Sequence, residues 1–79
     1  MEIYGYTNEQ VAAGVDKPSS LSEVTLVSNA DDLREIAKFL NSIADQIDED
    51  SDGFEHEHLS NTNETVSKTN IIVFNEAAL

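Results

Sequence analysis

The sequence predicts a single α+β domain over residues 1–79, in which a small, mainly antiparallel sheet of about four strands packs against one long amphipathic helix. Three observations predict it. Leu33, Ile36, Ala37, Leu40, Ile43, Ala44 and Ile47 recur at three- and four-residue spacing, Leu21 to Ser28 alternate in β-branched and polar residues, and Ile71-Ile72-Val73-Phe74 is an apolar run of strand length.

The helix is expected over roughly 30–49. Ser28 or Asn29 can accept from the exposed first-turn amides, and Asp31 and Asp32 suit the positive end of the helix dipole. The seven apolar positions form a core stripe with Phe39 at its edge, leaving Arg34, Glu35, Lys38, Asn41, Asp45 and Asp48 toward solvent.

Strands are expected near 2–6, 21–28, 55–59 and 70–75. The last, continuously apolar, reads as buried on both faces or central in the sheet. Residues 7–20, with one of the three glycines and the only proline, and residues 60–69, rich in Ser, Thr and Asn, read as flexible loops. Val11-Ala12-Ala13 suggests a helical turn within the first of them.

A chain of 79 residues is near the size at which one core only marginally offsets the entropy of ordering the chain. With no cysteine, neither a disulfide nor a thiolate zinc site can reinforce it. Packing, a hard metal or self-association in a homodimer must supply the stability.

Four Lys and Arg against sixteen Asp and Glu give 4 − 16 = −12. Such a surface repels phosphate backbones and anionic lipid heads, which argues against nucleic-acid and membrane binding, and it favours solubility, cations or a basic protein partner. The first residues lack a basic segment followed by an apolar run, and no stretch has the length to span a bilayer, so the expected location is the cytoplasm.

Seven of the sixteen acids lie between Asp45 and Glu57, and no Lys or Arg occurs from Phe39 to Ser67. Within this span Asp45, Asp48, Glu49, Asp50, Asp52, Phe54, Glu55, His56, Glu57 and His58 form the candidate partner-binding surface, with Phe54 and the histidines as anchors inside an acidic rim.

Two metal readings compete with it. Asp48, Asp50, Asp52 and Gly53 match positions one, three, five and six of a calcium loop, but position twelve is Leu59, so Glu55 or Glu57 would have to close the site. In a strand, His56 and His58 project to one face and can supply two zinc ligands, with the third to come from a distant acid such as Glu2 or Glu23. Hydrated carboxylates and histidines bonded to neighbouring acids are the plainer account of both. No cysteine nucleophile, glycine-rich phosphate cradle or nucleophile elbow is present, so neither a catalytic residue nor a cofactor is expected.

LSEVTLVSNADDLREIAKFL, then FEHEHLS, then NIIVFN resemble the immunity protein thirty-two family, small bacterial immunity proteins of polymorphic toxin systems. The resemblance runs from Leu21 to Asn75 with the opening EIYGY, and its most specific word is His56-Glu57-His58-Leu59 ahead of a terminal apolar strand. NTNETVSKTN after Ser60 departs from the family in lacking an aromatic residue. The resemblance implies a non-enzymatic protein that binds and neutralises a toxin.

Overall fold

A computed structural model of the protein describes residues 1–59 and 69–79. Among these the order is β1 (Tyr4–Gly5), α1 (Asn8–Ala12), β2 (Ser19–Ser20), α2 (Ala30–Glu49), β3 (His56–His58), β4 (Ile72–Phe74) and a closing 3-10 turn, Glu76–Ala78. The class is α+β, as the sequence predicts. The four strands form two separate antiparallel pairs, β1 with β2 and β3 with β4, rather than one sheet. The expected loop 60–69 lies, except for Thr69, outside the described residues.

The N-terminal pair is closed by a well-capped short helix. Thr7 Oγ1 accepts from the Gln10 amide at 3.1 Å while Gln10 Oε1 accepts from the Thr7 amide at 2.8 Å, a reciprocal capping box. At the other end Gly14 takes φ +72°, and the amides of Gly14 and Val15 donate back to Val11 and Gln10. That left-handed residue lets the chain leave the helix and return to β1. Residues 7–20 therefore carry a capped helix and a strand.

The expected strand 21–28 does not form. Beyond Leu21, whose amide donates to Ile3 at 2.8 Å, no backbone hydrogen bond joins these residues to a strand among the described residues. Val24 and Leu26 are exposed and Val27 is 96% exposed. Strand propensity reflects packing on a neighbouring strand; Ser19 and Ser20 occupy β1, and β3 and β4 pair with each other.

Helix α2 matches its expected bounds. Asn29 caps it, its Oδ1 accepting from the Asp32 amide at 2.8 Å, and Asp31 and Asp32 sit in the first turn. Its buried face differs from the expected stripe. Phe39 and Ile43 are buried with Leu59, and Ile36, Ile47, Phe54, Ile71 and Val73 pack around them. Leu33 and Leu40 are 44% and 46% exposed, and Ala37 and Ala44 face solvent too. The apolar arc of α2 is wider than a two-stranded hairpin can cover, and the side bearing Phe39, the largest apolar side chain, buries the most area.

The hairpin is correspondingly one-sided. Pairing sets Glu57 opposite Val73, with His56 opposite Phe74 and His58 opposite Ile72. Ile71, Val73 and Leu59 pack toward α2, while Ile72 and Phe74 are about half exposed. The expected two-sided burial of the last strand does not occur, because no second layer among the described residues covers the outer face.

Asn75 joins the two ends of this unit. It is buried, its amide nitrogen donates to the carbonyls of Ser51 at 2.8 Å and Phe54 at 3.0 Å, and its Oδ1 accepts from Ala77 at 3.2 Å. No other side chain of similar size supplies both donors and an acceptor except glutamine, which is one methylene too long.

Urea unfolding of three variants tests this packing. Leu59→Ala should cost about 2–4 kcal/mol and Asn75→Asp about 1–3 kcal/mol, since a carboxylate cannot donate to the two carbonyls. Val27→Ser should lie within about 0.5 kcal/mol of the parent, and a loss above about 1 kcal/mol would show that residues 21–28 are a buried strand after all.

Candidate functional site

The acidic segment is built from the last turns of α2, the turn at 50–53 and β3. Asp45, Asp48, Glu49, Asp50, Asp52 and Glu55 are exposed. Acids at a helix C-terminus face the negative end of its dipole, an arrangement that costs a few tenths of a kcal/mol per charge. The local structure answers with hydrogen bonds. The Asp50 amide donates to Gln46, its Oδ1 accepts from the Gly53 amide at 2.9 Å, and its carbonyl accepts from Phe54 at 3.1 Å. A Cβ on Gly53 would displace the Asp50 carboxylate from this position, so glycine permits the close approach.

Phe54 is half-buried against the core, so only part of its ring is open to a partner. That part helps line an open hollow of about 210 Å³ together with Gln46, Glu49, Asp50 and Gly53. An apolar wall beneath two carboxylates suits the stem and head of a lysine or arginine.

Alternation in β3 places the two imidazoles on the outer face. The His56 and His58 rings lie 5.3 Å apart edge to face, and His56 stacks on Phe74 at 4.6 Å. His56 Nδ1 lies 3.1 Å from Glu55 Oε1, and Asn70 Nδ2 lies 2.8 Å from His58 Nδ1. Glu57 turns back on its own chain, its Oε1 accepting from the His58 amide at 2.9 Å. The word HEHL thus divides its labour: the histidines face outward and Leu59 anchors the core.

Among the described residues, no group of three or more His, Asp or Glu is arranged to hold a metal ion. Asp48 belongs to the helix, whereas Asp50 is held by Gly53. His56 and His58 do share a face, as alternation requires, without a third ligand from the described residues. At the far end of the chain, Tyr4 donates to Glu2 at 3.2 Å, and that bond raises the phenol pKa.

Sequence reasoning missed Ile72 and Phe74 as companions of the histidines and Asn75 as the tie beneath the acidic turn. Strand register was the signal for the first pair. Asn75 offered none, because its partners are backbone carbonyls more than twenty residues away along the chain.

The turn makes its own prediction. Asp50→Ala should lower stability by about 1 kcal/mol, whereas Asp50→Asn should retain most of it because the amide oxygen can still accept from Gly53. Equal losses in thermal melts of the two variants would mean that charge, not the hydrogen bond, holds the turn.

No helix among the described residues is long and apolar enough to cross a membrane. No curated protein and no solved structure matches the chain. The family model described as Immunity protein 32 matches residues 23–75, which is 75 − 23 + 1 = 53 of 79 residues. The match begins after β2 and ends on Asn75, so it spans α2, the acidic turn and the β3–β4 hairpin. The chain therefore belongs to the Immunity protein 32 family.

Proposed function

We propose that the protein is a non-enzymatic immunity protein of the bacterial cytoplasm that binds a basic toxin and neutralises it. The observation that carries this reading is the coincidence of the family match with the acidic segment: residues 23–75 include all seven acids from Asp45 to Glu57. Carboxylates fixed along one edge steer a basic partner into contact and occupy the positions where a nuclease would bind phosphates.

The docking surface comprises Asp45, Asp48, Glu49, Asp50, Asp52, Glu55, Glu57 and the outer face of β3 with His56 and His58. The hollow bounded by Glu49, Asp50 and Phe54 receives a basic side chain of the toxin. The acids supply the association rate, and Phe54 with the imidazoles supplies the desolvated contact that holds the complex together.

The test is the association rate with the toxin domain carried in the same locus, measured by stopped flow at low and high salt. Asp48→Asn, Asp50→Asn and Asp52→Asn together should slow association about tenfold at low salt and much less at high salt, with circular dichroism unchanged. An unaltered rate with a confirmed partner would remove this surface from the interface.

A further inference from the structure

Among the described residues, the exposed apolar stripe of α2 is used neither by the core nor by the acidic turn. At about 100° per residue, Leu33, Ala37 and Ala44 all lie within about 60° of Leu40 around the helix axis, on the side away from Phe39. Two leucines nearly half exposed and two alanines facing solvent run for three turns.

The charges beside this stripe are ordered along the helix. On its outer flank come Arg34, Lys38, Asn41, Asp45 and Asp48, all exposed, with cations in the N-terminal half and acids in the C-terminal half. Among the described residues, Arg34 and Lys38 make exposed pairs within the helix, to Asp31 and Glu35 at 3.2 Å each. Such pairs are worth little and exchange readily for others.

A flank that is positive at one end and negative at the other is complementary to itself when reversed. We propose that two copies of the chain pair through α2 in a two-fold symmetric, antiparallel dimer. Ala37, Leu40 and Ala44 form the centre of the seam with Leu33 at each end of it, and Arg34 and Lys38 of each copy face Asp48 and Asp45 of the other. With the axis near Asn41, residues whose numbers sum to about 82 come opposite, and 34 + 48 = 82 while 38 + 45 = 83. Isologous contact of this kind is the commonest way for identical chains to associate.

Charge also says why the occupant is a second copy and why it sits here. Each copy carries −12, so self-contact is repelled except where cations interrupt the acids. Arg34 and Lys38 are two of only four Lys and Arg in the chain. A basic toxin would meet these same cations unfavourably, which centres its site beyond them, on the acids from Asp45 onward and the hairpin. Because Asp45 and Asp48 belong to both surfaces, the dimer is to be measured with no toxin present.

Sedimentation velocity of the full chain from micromolar to hundreds of micromolar should show monomer giving way to dimer. Leu40→Glu, or Ala37→Glu should the first lose helicity, should raise the dissociation constant at least about tenfold. The decisive arm uses two charge variants, Arg34→Glu with Lys38→Glu and Asp45→Lys with Asp48→Lys. Each alone should stay monomeric, and an equimolar mixture should dimerise. A wild-type chain that is monomeric throughout, a dimer indifferent to Leu40 and Ala37, or a mixture that fails to pair would each overturn the proposal.

Discussion

Phe39 and Ile43 of α2 meet Leu59 at the end of β3, and the rest of the structure is hung on that contact. Full burial of such side chains is worth about 1.5–3 kcal/mol each, a small sum for a chain of this length with no disulfide. A two-stranded hairpin is not stable in water by itself, and α2 has only one side covered. Each element therefore persists because the other is there. The same contact fixes where the acidic turn and the histidines lie, since both sit on the short path between α2 and β3.

Around this contact the chain tolerates an electrostatic arrangement that no isolated helix would favour. Four acids, Asp48, Glu49, Asp50 and Asp52, crowd the negative end of α2. Two hydrogen-bonded side chains hold the turn against that repulsion: Asp50 from within, through the Gly53 amide, and Asn75 from beneath, through the carbonyls of Ser51 and Phe54. The family match extends from Glu23 to Asn75, so the tie, the turn and the core contact all lie in the unit shared with other Immunity protein 32 members. Outside it, β1, α1 and β2 form their own pair around an unusually complete set of helix caps.

What the fold leaves open is as informative as what it closes. The radius of gyration is 13.6 Å, against about 11.6 Å for a typical domain of this length. Among the apolar surfaces left in solvent are the outer hairpin face with Ile72 and Phe74 beside the imidazoles, and the Leu33 to Ala44 side of α2. They differ in their electrical setting. The hairpin face adjoins uninterrupted acid, whereas the helix face carries both signs in order along its flank.

By itself the sequence determined the α+β class, the bounds and caps of α2, the position of β3 and the concentration of charge after Asp45. These are local properties, set by spacing, capping chemistry and composition within a few residues. Tertiary structure alone decided which of two overlapping stripes on α2 is buried, that β4 has one wet face, and that Val24 to Val27 find no strand to join. Those outcomes depend on how much surface the neighbouring element can cover, and a two-stranded hairpin covers less than the apolar residues of this chain would fill. Asn75 belongs with them: a buried amide has a role only when distant carbonyls are brought to it.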